Sequence, residues 1–493
     1  SMRRGSTMKT LIQGGDIVAY HDGGHRLLRG GVLVLEDDRV VFVGRQYAGP
    51  VDRRIDATGQ LVIPGLVNIH CHATTEAGGR LIADAGRRDF FQNGFLNYNA
   101  SPPGIPGLDA RADRTLGGRF ALVELLRNGC TTVVEIGAAD EALVATAGEI
   151  GIRAYLTPGF KSANYRVAAG GPLVYEWDEE DGFRGLERAR RFIERHHGTH
   201  GDRVRGMLFP LQVDTCTAEL LRATRKAADE LSVGIEIHAG QNLLEFHEML
   251  RRTGRTPVEF LADCELLGRD AILGHCIIST AHHLAALPQG RDLEILAATG
   301  ASVAHCPLVF ARRGNALESF HRYRAAGVNV GLGTDTYPRD LISEMRWASL
   351  VCKIVEHDFT VATSGDVFAA ATTGGARALG RDDLGRLAPG AKADVVIVDL
   401  AKLRIGPYRD PIRALVQCGT ADDVDRVLVD GRVVVEGGRV VGVDERQLMA
   451  DAQREAERLW DSVSKWHWQG QTAEEFAPTS FPPLEIDLTD VGS

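Results

Sequence analysis

The chain has 493 residues, 44% of them hydrophobic and 25% charged, with a net charge of -10. That is an ordinary globular composition in a chain long enough for a main domain and a smaller one, because single cores stop growing near about 250–300 residues. The acidic balance speaks against a nucleic-acid partner, whose phosphates call for a basic face, and no apolar run approaches the roughly 20 residues that span a bilayer.

The eight cysteines are scattered and none forms a Cys-x-x-Cys pair. No hydrophobic stretch follows Met2-Arg3-Arg4. The expectation is a cytoplasmic protein with reduced thiols, no secretory leader and no membrane association.

From Met8 to Leu61, short strand-like runs at residues 10–13, 16–20, 31–36 and 39–44 alternate β-branched residues with Gly-Gly and Asp-Asp turns. The same texture returns at residues 393–400, 425–431 and 432–438. Both chain ends are therefore expected to build one small β domain, with everything between them as a second unit.

That middle unit alternates strand-like and helical runs. Strands are expected at residues 66–72, 131–136, 153–158, 204–210, 233–238, 271–275, 301–305 and 328–335, with a helix such as 217–231 between them. Repeated strand–helix units imply a parallel sheet, and this number of strands favours a closed (β/α)8 TIM barrel. An open doubly wound sheet is the alternative, but no Gly-x-Gly-x-x-Gly opens a helix here.

The expected division is 1–65 and 389–444 for the two parts of a β-sandwich, 66–388 for the barrel, and 445–493 for a terminal helix and surface tail. Residues 86–108 form a Gly-, Pro- and Asn-rich insertion with Phe90, Phe91, Phe95 and Tyr98. These aromatics either line a pocket or pin the loop itself.

The chemistry is expected where barrel strands end. The run Leu61-Val-Ile-Pro-Gly-Leu-Val-Asn-Ile-His70-Cys-His72 closes on two histidines one residue apart, which a strand projects to the same face. His238, His275 and Asp335 end three further strands. Each alone could be a structural histidine or a turn-forming aspartate. Together they make five N/O groups at the ends of four strands, in a chain with 16 histidines. Three or four such ligands with an open position describe a catalytic zinc-type site, and the same ligands suit iron.

These residues resemble the amidohydrolase superfamily, in the branch that holds triazine hydrolases and cytosine, guanine and S-adenosylhomocysteine deaminases. The resemblance also rests on Val303-Ala-His305-Cys-Pro307, Gly331-Leu-Gly-Thr-Asp335, the segment from Ala371 to Gly380, and Gly385–Asp394. It implies a (β/α)8 barrel with a small β-sandwich formed by both chain ends. It implies one divalent metal per chain, zinc first and iron as the alternative, held by His70, His72, His238 and Asp335, with His275 a ligand in some members and a contact to water or the oxyanion in others. Asp335 would also take a proton from the attacking water. The implied reaction is attack of metal-bound hydroxide on a planar C–N centre of a small molecule, with deamination of a nitrogen heterocycle leading. Relatives that assemble leave a homo-oligomer open.

The departure is Gln241. Deaminases of this branch carry Glu three residues after the His238 position, and an amide cannot protonate a leaving group at neutral pH. That shifts weight toward amide, urea or carbamate hydrolysis, or dechlorination. A non-catalytic metal-binding barrel is the remaining alternative. Glu245 is either a substitute acid or an exposed helix residue. Lys161 suggests a surface or substrate-binding role rather than a carbamylated bridge. Candidate substrate contacts are Gln241, His305, Arg312, Tyr98, Phe91 and Tyr337. Arg313 and Arg339 are either further contacts or surface charges.

Overall fold

The computed structural model describes residues 7–73, 80, 93, 100–137 and 139–487. Eight barrel strands follow one another in the order expected. They are β1 (Leu66–Cys71), β2 (Cys130–Gly137), β3 (Arg153–Phe160), β4 (Val204–Gly206, continued as Phe209–Pro210), β5 (Ile235–Ala239), β6 (Ala271–His275), β7 (Ser302–His305) and β8 (Asn329–Leu332). β1 to β4 pair in parallel, as do β5 to β8. Bridges Leu208↔Ile235 and Gln212↔His238 join the halves on one side, and Cys71↔Asp335 joins β1 to the end of β8 on the other. That second seam closes the barrel.

The strands are buried throughout, as in a sheet covered on both faces: every residue of β1, β5, β6 and β7 is buried, polar ones such as Asn68 and Glu236 included. Helices pack outside them through one stripe each. In Ala218–Leu231 the buried set is Leu220, Leu221, Thr224, Ala227 and Ala228, and the Thr217 side chain caps the helix by accepting from the Leu220 N–H.

The β domain draws on both chain ends. Strand Gln60–Pro64 runs antiparallel to Val395–Asp399, inside a sheet that continues to Val424–Val429 on one side and Asp16–His21 on the other. A second, four-stranded sheet places Lys9–Gln13 between Val32–Glu36 and Arg53–Asp56. Ile12, Leu33, Leu35, Val62, Val395 and Ile397 interleave between the two sheets. The terminal helix runs from Glu445 to Trp460. Trp466, just beyond it, is buried against Leu108, Leu459 and Val463, so the C-terminal segment anchors part of the insertion.

Barrel and β domain are tied by a buried charge cluster. Arg153, at the start of β3, reaches Asp394 with Nε at 3.1 Å and Nη2 at 3.2 Å, and Asp430 with Nη2 at 2.5 Å. All three side chains are almost fully buried. Removing the cation leaves two carboxylates without it in a dry place, which costs about 3–5 kcal/mol. Arg153→Met is therefore expected to lower the unfolding free energy by that amount in chemical denaturation; a loss below about 1 kcal/mol would contradict the role of this clamp.

Candidate metal centre

Four of the predicted groups come together. Atoms of His70, His72, His238 and Asp335 all lie within 4.8 Å of one another. Asp335 Oδ1 is 3.4 Å from His70 Nε2 and 3.2 Å from His72 Nε2, and the Nε2 atoms of His72 and His238 are 3.3 Å apart.

Each ring is oriented by the nitrogen it turns away from the cluster. His72 Nδ1 faces the carbonyl of Ile136 at 3.1 Å and His238 Nδ1 that of Leu211 at 2.7 Å. His70 Nδ1 faces the Glu236 carboxylate at 2.5 Å. A carbonyl or carboxylate at Nδ1 fixes the tautomer that carries its hydrogen there, so Nε2 presents a lone pair to the cluster. Among the described residues, the buried His70 Nε2 has no hydrogen-bond partner. Converging lone pairs around a carboxylate, one of them buried and unsatisfied, fit a divalent cation of zinc or iron type.

The aspartate is placed by backbone. The N–H groups of Thr334 and Asp335 both donate to the carbonyl of His70, at 3.1 and 2.9 Å, and Asp335 returns the bond by accepting from the His72 N–H at 2.7 Å. Asp335 takes a left-handed φ of +58°, a conformation that aspartate tolerates better than most residues. Asn68 braces the same turn, with Nδ2 donating to Thr334 Oγ1 at 2.8 Å.

Electrostatics follow from this packing. Burial would raise the Asp335 pKa, but His275, His70 and His72 hold it well below the carboxylate range. Burial and the charge of His70 keep His238 and His275 neutral, far below the usual imidazole value. At His70 burial is outweighed by Glu236 and Asp335, which raise the pKa to about 9. That cationic state belongs to the metal-free cluster, and a bound cation would take the proton's place on Nε2.

The other predicted residues fall out variously. His275 stands just outside the group of four, with Nε2 4.0 Å from Asp335 Oδ2, and among the described residues neither ring nitrogen has a hydrogen-bond partner. Gln241 is buried, and among the described residues its Oε1 has no hydrogen-bond partner. Glu245 is not an exposed helix residue: it is fully buried, and its carboxylate accepts from the N–H groups of Gly240 and Gln241 at 2.7 and 2.8 Å. It shapes the turn that carries Gln241.

His305 is buried and stacks on Phe320 with centroids 6.3 Å apart. Arg312 donates to the Tyr337 carbonyl at 2.8 Å and lies 4.4 Å over its ring, while Arg80 lies 4.9 Å from the same ring. Both guanidiniums thus lie close to the Tyr337 ring. Arg339 is buried and donates to the His72 carbonyl at 2.7 Å, so it is no surface charge. Lys161, beyond the end of β3, has Arg166 and Asp109 as charged neighbours, and burial lowers its pKa. Phe91 and Tyr98 lie outside the described residues.

Glu236 was missed in the sequence. The signal was present, because an acid two residues before His238 in a buried strand must share the His238 side of the sheet.

Comparisons with known proteins place the chain. The model of the amidohydrolase family matches residues 61–434. The chain belongs to that family. A 5-methylthioadenosine/S-adenosylhomocysteine deaminase of Desulforudis audaxviator is 33% identical over 442 residues, covering 88% of this chain and 96% of the relative. A 5'-deoxyadenosine deaminase of Methanothermobacter thermautotrophicus is 31% identical over 440 residues, covering 88% and 95%. Among solved structures, an adenosine deaminase from Xanthomonas campestris with bound zinc superposes with a TM-score of 0.76 at 22% identity, over 92% of this chain and 98% of that one. An atrazine chlorohydrolase from Arthrobacter aurescens TC1 complexed with zinc gives 0.77 at 24%, over 91% and 100%. The fold is that of these proteins: a TIM barrel with a β-sandwich domain. The family member is a metal-dependent hydrolase acting on a C–N bond. Among the described residues no helix is long and apolar enough to cross a membrane.

A pH dependence follows from three neutral histidines outside the cluster, His282 and His305 buried and His25 half-buried. Burial lowers the pKa of His305 to about 3 and those of His25 and His282 to about 4. Below the ordinary value of 6.5 the unfolded chain takes up protons that the fold refuses. Stability is then full above 6.5 and is lost as pH falls toward 4, by about 2 kcal/mol for each group at pH 5. Thermal unfolding should show a clear drop in Tm between pH 7 and pH 5; an unchanged Tm would contradict the assignment.

Proposed function

We propose that this enzyme deaminates a planar nitrogen heterocycle of nucleoside type, using one divalent metal per chain held by His70, His72, His238 and Asp335. Zinc is the first choice and iron the alternative. The observation that carries the reading is the convergence of three imidazole Nε2 atoms on the Asp335 carboxylate at the C-terminal mouth of the barrel. Relatives named as deaminases of adenosine-type compounds support the substrate class.

A divalent cation bound there supplies Lewis acidity and lowers the pKa of water toward about 7. Asp335, anionic throughout the neutral range, accepts the proton that the attacking water loses. His275 is neutral, and its ring nitrogen facing the aspartate has no hydrogen-bond partner among the described residues; in the tautomer with its proton on that side it would donate to the oxyanion of the tetrahedral intermediate. Gln241 offers an amide to orient the substrate. It holds no proton to give, so Asp335 returns its own proton to the departing amine.

Gln241 also favours a second reading. A leaving group that needs no separate proton donor, as in dechlorination or carbamate hydrolysis, would suit a site with a single acid–base carboxylate. Ammonia release across aminated purine nucleosides, pterins and triazines separates the two, and a protein that releases chloride or cleaves amides without freeing ammonia from any of them would overturn deamination.

Three further outcomes test the roles. Metal analysis should find about one zinc or iron per chain, and chelation should abolish turnover that the same metal restores. Asp335→Asn should lower kcat by about 10²–10⁴-fold or more. Gln241→Glu adds a titrating group, so its pH–rate profile should gain a limb that the parent lacks; coincident profiles would place position 241 outside the proton path.

A further inference from the structure

The three imidazoles of the cluster are oriented by unlike partners. His72 and His238 turn Nδ1 to neutral backbone carbonyls, of Ile136 and Leu211. His70 turns it to a carboxylate, Glu236, at 2.5 Å, and both side chains are completely shielded from water. We propose that Glu236 is the positioning residue of the metal site: its carboxylate holds the His70 proton on Nδ1, aims Nε2 at the cation, and strengthens His70 as a donor. The inference rests on the metal-dependent reading above and deepens it.

The sequence builds the pair from strand alternation. Glu236 and His238 lie on β5 two residues apart, and β5 stands across the barrel from β1, which carries His70. The ring of His70 reaches inward because β6 and the segment just after β8 leave room for it. A Cβ at Gly274 on β6 would lie 2.5 Å from His70 Cε1 and 2.7 Å from Nδ1, and one at Gly333 would lie 2.7 Å from the His70 Cβ. Neither contact is tolerable, so glycine at these positions is what lets the imidazole lie against Glu236.

The charge count gives the reason for a carboxylate. A buried charge is tolerated when it is matched by charges and hydrogen bonds close by. A divalent cation with three neutral imidazoles and Asp335 leaves one positive charge in excess. Glu236, one imidazole away, supplies the missing negative charge without occupying a coordination position. Among the described residues its second oxygen has no hydrogen-bond partner, and the carboxylate's hydrogen bond is to His70. Carboxylates that orient ligating histidines typically contribute 10–100-fold to metal affinity or activity.

The test is metal affinity and spectroscopy rather than turnover. Glu236→Gln keeps the volume and the acceptor but removes the charge. In competition with a chromophoric chelator, its zinc dissociation constant should rise about 10–100-fold over the parent, and the visible spectrum of its Co²⁺-loaded form should shift. If the parent binds one zinc per chain and Glu236→Gln binds it equally tightly with an unchanged Co²⁺ spectrum, this inference fails and the metal-dependent reading stands. A parent that takes up no metal would overturn both. Should the variant not fold, the zinc-loaded parent decides through its imidazole proton resonances. One Nδ1–H shifted well downfield of those facing carbonyls is expected; a set without such a resonance would overturn the proposal.

Discussion

The whole site depends on one carbonyl oxygen. His70 O accepts the N–H groups of both Thr334 and Asp335, which welds the first barrel strand to the segment that follows the last. The same bonds close the barrel and set the Asp335 carboxylate beside His70 and His72. Fold closure and ligand placement are therefore one event. A strand slip at this seam would cost the parallel sheet its continuity and the cluster its anion together.

Around that seam the protein spends buried polar groups that a purely structural barrel would lack. Arg339 reaches the His72 carbonyl, Asn68 braces Thr334, and Glu236 backs His70. Each is costly to bury alone, and each has a hydrogen-bond partner at the site. Glu245 does the same for the turn that follows β5. The result is a cluster whose imidazoles are fixed before any cation arrives, which is the arrangement that lets a ligand set discriminate by geometry.

Much of this was legible in the residues. The strand-ending positions of His70, His72, His238 and Asp335, each after a buried apolar run, placed them at the mouth of a barrel, and the family match agrees with the resemblance read there. Sub-ångström outcomes were not legible. His275 has the same strand-end signature, yet stands 4.0 Å from the aspartate, because strand register sets where a side chain begins and not where its ring comes to rest. Glu245 in a first helical turn reads as exposed; a turn with two N–H groups to satisfy drew it inside. The arginines at 312 and 339 read as mouth or surface charges, but one stacks on Tyr337 and the other is buried beneath His72. Long side chains are decided by tertiary neighbours that no local pattern contains.

The central claim is that three imidazoles and one carboxylate, drawn from β1, β5 and the end of β8, hold a single catalytic cation. X-ray absorption at the metal edge of the loaded protein tests it most directly. The account predicts a shell of N/O donors alone at about 2.0–2.2 Å, with the outer scattering of three imidazoles. A sulfur shell near about 2.3 Å, which would implicate the neighbouring Cys71 or Cys306, or the outer scattering of a single imidazole, would contradict it.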